Sequence, residues 1–376
     1  MLVLLLVCSV LVISTLGSPA GADPIRTNIG GGFGEEKIQG DGNFAGGHRA
    51  PKTRPMDEEY AMFKEGLMME NDEGELVELT LGDEGGVIAL ENILSSNLDN
   101  RVFYRLYTRK NPKEYQPLWI DDQSSLSRSN FNADKPTHFV THGWINSGDS
   151  PACTDIRDAY LKNGDFNVIV LDWSTFTLGP YGRAVLHVTQ VGQHVAKMID
   201  FLQSKARLDT KKTTLVGHSL GAHVMGLAGY YSKGTINYVV GLDPALPLFY
   251  FADEGHRISN KDANHVQIIH TNAGLLGYMS AIGHSDFYPN GGSMQLGCLL
   301  DVTGACSHAR SWKFFAESIN SQRGFYGKPC TSYLSYIIGR CTIGPVSMMG
   351  GSLIDLAGTG NYFLSTSAVA PFAKGP

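Results

Sequence analysis

The run Thr-Thr-Leu-Val-Gly-His-Ser-Leu-Gly-Ala at residues 213–222 constrains this chain more than any other. Residues 213–216 are β-branched and apolar, as a strand requires, and residues 222–228 are small and apolar at helical spacing. Gly217 and Gly221 let strand and helix approach closely, which leaves Ser219 on a sharp turn, the layout of a nucleophile elbow. The five-residue core is a weak signal in a chain with 44 glycines, so the flanking strand and helix carry the reading. A glycine-rich turn in an ordinary βα unit is the alternative.

The surroundings repeat the pattern. Residues 102–108 alternate apolar and polar, and residues 136–143, 167–173 and 236–243 are short apolar runs. Residues 181–203 place Val185, Val188, Val191, Val195, Met198, Ile199 and Leu202 on one stripe of an amphipathic helix. Strands alternating with helices around an elbow predict an α/β-hydrolase fold with a mostly parallel, doubly wound sheet. Further strands are expected at 266–271 and 331–338, a helix at 307–320 with Ser307 as its cap, and a final edge strand at 362–367.

The amino terminus reads differently. Residues 1–22 join a short apolar run to the small residues Ala20-Gly21-Ala22, as in a secretory signal peptide. No later run approaches the roughly 18 apolar residues of a membrane span, so the mature chain is expected to be soluble. Residues 23–75 are rich first in Gly, then in Glu, Asp and Met, and are expected to be an extension or pro-segment, with a short helix near 57–65. The catalytic domain is expected at 76–376. A net charge of −6 without long basic runs gives no case for nucleic acid.

Cys8 falls in the leader. Cys298 and Cys306 enclose seven residues and Cys330 and Cys341 enclose ten, which predicts two local disulfides in an oxidising compartment; Cys153 is left over, as a buried free thiol in the favoured reading or an intermolecular bridge in the other. Zinc spacing is absent from the sequence, and no metal or other cofactor is expected.

A serine hydroxyl becomes a nucleophile when a histidine takes its proton and a buried carboxylate fixes that histidine's tautomer. Asp243, at the end of the strand after the elbow helix, is the best-placed acid. Asp172 ends a strand before the serine and reads as structural. The base is one of His256, His265, His270, His284 and His308, with His308 favoured because Cys306 ties its neighbourhood and a helix begins beside it. His142 and His218 read as shaping the pocket. For the oxyanion, the Leu220 N–H follows the nucleophile, and the Trp144 N–H is the second candidate, from His142-Gly143-Trp144.

Thr141-His-Gly-Trp144, Val170-Leu-Asp-Trp173, Val216-Gly-His-Ser-Leu-Gly-Ala-His223, Gly241-Leu-Asp-Pro-Ala245, Ile269-His-Thr271, Asp286-Phe-Tyr-Pro-Asn-Gly-Gly292 and Cys306-Ser-His308, in that order, resemble the pancreatic lipase family over residues 76–376. The pattern is similar to insect lipase-like and phospholipase A1-like members. The resemblance implies Ser219, Asp243 and His308 as nucleophile, acid and base, and a secreted enzyme that hydrolyses lipid esters at a membrane or lipid-droplet interface. It does not extend to the β-sandwich domain that helps dock colipase in the pancreatic enzymes, so neither colipase nor another stable partner is expected. Glu254, Arg257 and Asp262 match the family's calcium segment, but Ser259 stands where a carboxylate is usual, so calcium is not expected. The lid loop at 299–305 and the second covering loop at 272–284 are short, with Leu275, Leu276, Tyr278 and Met279 able to touch acyl chains. Release of the sn-1 fatty acid from phospholipids is therefore expected, with triacylglycerol or galactolipid hydrolysis as alternative. A non-catalytic lipid-binding or yolk-type protein on the same fold is the rival.

Overall fold

Strands that are apolar on both faces need cover on both, and a parallel sheet between two layers of helices supplies it. The computed structural model describes residues 67–72, 74–79, 97–342 and 344–376; the expected leader and the short helix near 57–65 lie outside the described residues. A hairpin of β1 (Met68–Glu70) and β2 (Leu76–Glu78) comes first. It is followed by β3 (Phe103–Tyr107), β4 (Gln116–Leu118), α1 (Gln123–Arg128), β5 (Thr137–Thr141), α2 (Pro151–Asn163) and β6 (Asn167–Asp172). Next come α3 (Ser174–Thr177), α4 (Tyr181–Ala206), β7 (Thr213–His218), α5 (Leu220–Tyr231), β8 (Tyr238–Leu242), β9 (His265–Ile269) and β10 (Ser285–Pro289). The chain closes with α6 (Ala305–Asn320), β11 (Tyr326–Pro329), α7 (Tyr333–Ile337), β12 (Ser347–Met348) and β13 (Gly360–Leu364).

The 11-stranded sheet has the order β12-β11-β13-β10-β9-β8-β7-β5-β6-β3-β4. The run from β13 to β6 is parallel throughout, and antiparallel strands close both ends. Alternate residues of a strand face opposite sides. Accordingly Phe139, Leu215 and Val239 join one buried cluster with α4 and α5, while Val140, Val216 and Val240 join another with α2 and α6. This is the expected doubly wound α/β-hydrolase arrangement. The carboxyl ends of β7, β8 and β9 share one edge, where catalytic groups gather in such sheets.

Three local expectations are corrected. Residues 331–338 form helix α7, not a strand: the Ser332 hydroxyl caps it by accepting from the Ser335 N–H at 3.2 Å, and the Cys330–Cys341 bridge closes the short loop around it. One turn apart, Tyr333 and Tyr336 share a face and stack on Phe363, while Leu334, Ile337 and Ile338 are exposed. Ser307 is not the cap of α6, whose N-cap is Gly304 (φ 82°); Ser307 lies inside the helix and accepts from the Gln295 N–H at 3.0 Å. Strand β13 is interior, because β11 returns antiparallel along its outer side.

The hairpin joins residues on both sides of the expected boundary at 75/76, pairing Met68 with Glu78 and Glu70 with Leu76. Its Leu67, Met69 and Leu79 are buried in the same cluster as Trp144.

Candidate active site

Ser219 caps α5 with φ 58° and ψ −124°, a backbone conformation that costs an L-residue about 1–3 kcal/mol and persists only where neighbours over-determine it. Those neighbours are glycines. A Cβ on Gly217 would lie 2.0 Å from the Gly221 carbonyl oxygen, and one on Gly221 would lie 2.4 Å from the His142 carbonyl oxygen. A Cβ on Gly143 would come within 2.7 Å of the Ser219 Cβ, so the loop after β5 lies directly against the serine. Leu220 is the first residue of α5, and its N–H therefore has no intrahelical partner.

Asp243 follows β8 with φ 45° and is fully buried. Its Oδ1 accepts from the backbone N–H groups of Thr271 at 2.7 Å and Asn272 at 3.0 Å, and its Oδ2 accepts from His308 Nδ1 at 2.6 Å. His308 stands in the first turn of α6. With Nδ1–H given to the carboxylate, Nε2 is the ring's acceptor. Both His308 Nε2 and Ser219 Oγ are buried and lack a hydrogen-bond partner among the described residues. His308 also borders a cavity of about 400 Å³ with Ala305, Ala309 and Trp312 of its own helix, His218, the start of α2, and the hairpin residues Met69 and Asp72.

The other histidines are engaged elsewhere. His270 also meets a carboxylate, Asp286 Oδ1 at 2.8 Å, but its Nδ1 donates to the Tyr278 carbonyl at 2.8 Å, so neither nitrogen is open for a substrate proton. His265 contacts the Ser285 hydroxyl at 2.9 Å, His284 Nδ1 accepts from the Val266 N–H at 2.9 Å, and His256 is exposed. The His218 ring lies tilted 46° to the His308 ring at 4.6 Å; burial first, and then the neighbouring imidazole of His308, push the His218 pKa well below the usual value and keep it neutral. His142 Nδ1 lies 2.9 Å from the Gly143 carbonyl, and its Nε2 lies 3.2 Å from the Trp173 nitrogen and 3.4 Å from Asp172 Oδ1. Trp144 Nε1–H donates to the Gly179 carbonyl at 2.6 Å. Asp172 pairs with Arg105 and accepts from the Ser174 N–H at 3.0 Å; burial opposes its charge, but these contacts together with His142 hold its carboxyl below the usual range.

Both expected disulfides are formed, Cys298–Cys306 and Cys330–Cys341, and Cys153 is a buried free thiol. In the lid loop, Leu300 and Val302 are 97% and 92% exposed, whereas Asp301 turns back to accept from the Cys306 N–H at 2.6 Å at the start of α6. In the second loop Leu276 and Tyr278 are buried in the core, so they do not line an acyl site; Met279 is exposed. The calcium segment does not fit a hard cation. Asp262 is taken by the Ser259 N–H at 2.8 Å and hydroxyl at 3.0 Å, Glu254 by Lys261 at 2.6 Å, and Arg257 donates to the Ala252 carbonyl at 3.0 Å.

The hairpin wall beside His308 is the part of the site that the sequence reading missed. Two short apolar runs, Leu67-Met-Met69 and Leu76-Val77, on either side of the turn residues Asn71, Asp72 and Gly74 were the available signal.

A family model described as Lipase matches residues 87–372. Inactive pancreatic lipase-related protein 1 of Homo sapiens is 35% identical over 301 residues, which cover 72% of this chain and 64% of that protein. Pancreatic triacylglycerol lipase of Cavia porcellus is 33% identical over 303 residues, covering 73% and 65%. The chain thus spans just under two thirds of these relatives' length. Among solved structures, the esterase Pf2001 of Pyrococcus furiosus matches 36% of this chain and 59% of its own, at 18% identity and a TM-score of 0.24.

Proposed function

Because the chain belongs to the Lipase family, we propose that it is a secreted serine hydrolase of lipid esters, acting at a membrane or lipid-droplet surface. Ser219 Oγ attacks the ester carbonyl carbon as His308 Nε2 takes its proton, and the Trp144 and Leu220 N–H groups bind the oxyanion. Collapse expels the alcohol, which receives the proton from His308, and water then releases the fatty acid from Ser219 by the same route. The observation that carries this reading is the 2.6 Å contact of His308 Nδ1 with the buried Asp243, which leaves Nε2 as the base. A lipid-binding protein without chemistry has no use for a histidine fixed in one tautomer by a buried carboxylate, or for a serine held in a strained turn. The apolar leader of the sequence and the two disulfides support secretion.

The substrate is a phospholipid, cleaved at the sn-1 ester. A lid loop of seven residues leaves little apolar wall for three acyl chains, and the cavity bordered by His308 has polar residues Asp72, Asn146 and Ser150 on its wall, which suits a polar head group. Triacylglycerol or galactolipid hydrolysis is the second reading, and one relative's name includes triacylglycerol lipase. The test sets phosphatidylcholine, phosphatidylserine, galactolipid and triolein side by side, with Ser219→Ala as control and fluorophosphonate labelling of the protein. Absence of Ser219-dependent labelling defeats the hydrolase reading, and faster hydrolysis of triolein than of every phospholipid reverses the substrate.

A further inference from the structure

The hairpin of β1 and β2 precedes residue 87, where the family match begins, yet it touches the loop that carries Trp144. From its turn, Asp72 Oδ1 accepts from Asn146 Nδ2 at 2.8 Å, and Oδ2 accepts from the hydroxyls of Ser150 at 2.5 Å and Ser147 at 3.5 Å. All three donors lie within six residues of Trp144 in the connection from β5 to α2. Between Trp144 and Asn146 stands Ile145 with φ 52°, a left-handed conformation that a β-branched residue adopts only under constraint.

Constraint comes from two sides. Segment 174–180 supplies one: the Ile145 N–H donates to the Thr177 carbonyl at 3.3 Å, the Thr177 hydroxyl to the Asn146 carbonyl at 3.0 Å, and Trp144 Nε1–H to Gly179. The Asp72 carboxylate supplies the other, with an ionised acceptor that makes stronger hydrogen bonds than a neutral one. Buried Leu67, Met69 and Leu79 anchor the hairpin, so Asp72 is held by packing and does not swing freely on a tail.

We propose that Asp72 is a positioning residue: it latches the strained loop so that the Trp144 N–H stays aimed at the oxyanion. This rests on the hydrolase reading above, since a latch on an oxyanion loop matters only if an oxyanion forms. Removing an oxyanion donor outright lowers kcat by about 10²–10³-fold; loosening one costs less, about tenfold.

The test compares wild type, Asp72→Ala, the isosteric Asp72→Asn and the control Glu75→Gln, whose parent side chain lies on the same hairpin and contacts Asn71. Each protein is titrated with a fluorophosphonate, so rates refer to reactive sites and not to total protein. On p-nitrophenyl butyrate, kcat per titrated site is expected to fall about tenfold for Asp72→Ala and by an intermediate factor for Asp72→Asn, with KM within about twofold. Affinity for a trifluoromethyl ketone, whose adduct carries the oxyanion, is expected to fall in step with kcat, and Glu75→Gln is expected to match wild type. If the Asp72 variants lose only melting temperature or titratable fraction, with kcat per site and ketone affinity unchanged, the latch is refuted. Should the alanine variant not accumulate, Asp72→Asn decides alone by the same two readouts. Failure of wild type to label refutes the hydrolase reading itself, a different outcome.

Discussion

Replacing Asp243 by Asn tests the site at its most determined point. Oδ1 receives two backbone N–H groups, and Oδ2 receives only His308. An asparagine there has one carbonyl oxygen and one NH₂ to distribute. Turning the NH₂ toward Thr271 and Asn272 sets donor against donor twice, at about 1–3 kcal/mol for each buried N–H left unmet. Turning it toward His308 sets donor against donor once, and that clash disappears when the imidazole moves its proton from Nδ1 to Nε2. The second orientation wins, and it leaves Nε2 protonated and unable to accept the Ser219 proton. The variant is therefore expected to fold, because the Thr271 and Asn272 N–H groups keep their acceptor, and to lose about 10⁴ in kcat, or about 5 kcal/mol of barrier. Hydrolysis of p-nitrophenyl butyrate at pH 7 and the second-order rate of fluorophosphonate labelling both read this loss, with circular dichroism to show the fold. A folded Asp243→Asn protein within tenfold of wild type would refute the tautomer argument.

Gly217→Ala is expected to abolish folding or cost at least about 3 kcal/mol, since its Cβ meets backbone at 2.0 Å, whereas Gly179→Ala, with nothing within 4 Å, is expected to leave the melting temperature nearly unchanged. Burial raises the Asp262 carboxyl from 3.8 to about 6 against its bonds from Ser259, so the folded state binds a proton that the unfolded state releases; this stability is fully present below about pH 4 and is lost as pH rises through about 6. The stability difference between wild type and Asp262→Asn, from urea unfolding at pH 4 and 6.5, is expected to change by up to about 3 kcal/mol in that direction. Replacing Cys330 and Cys341 together by Ser is expected to cost about 3 kcal/mol, the loop entropy of a bridge spanning 11 positions, checked by denaturant unfolding. Cys153, whose thiol pKa is pushed up by burial, is expected to resist iodoacetamide in the native protein and to react once unfolded.

The sequence by itself determined what depends on neighbours in the chain. The elbow was legible because glycines at 217 and 221 are what a strand-to-helix turn around a strained serine requires, and the register of apolar runs was legible because a parallel strand is covered on both faces. For the base, the residues alone favoured His308 among five histidines, and the set of Ser219, Asp243 and His308 came from the resemblance to the pancreatic lipase family; the two short cysteine spacings marked local bridges. Tertiary structure decided the rest. His270 and His308 each meet a buried carboxylate, and the partner of the second ring nitrogen separates them: the loop after β9 folds back to offer His270 the Tyr278 carbonyl, while His308 Nε2 is left open among the described residues. Residues 331–338 carry tyrosines and aliphatics that suit either a strand or a helix; the packing of Tyr333 and Tyr336 on Phe363, under a closing disulfide, chose the helix. The hairpin of β1 and β2 lay in a stretch whose composition has little to bury, and its value comes from what it reaches: Leu67, Met69 and Leu79 find a core built by residues far along the chain, and Asp72 finds donors 74 to 78 positions away. Short-range patterning fixes which residues can form an element, but the energy of a contact between distant segments exists only once the chain has brought them together.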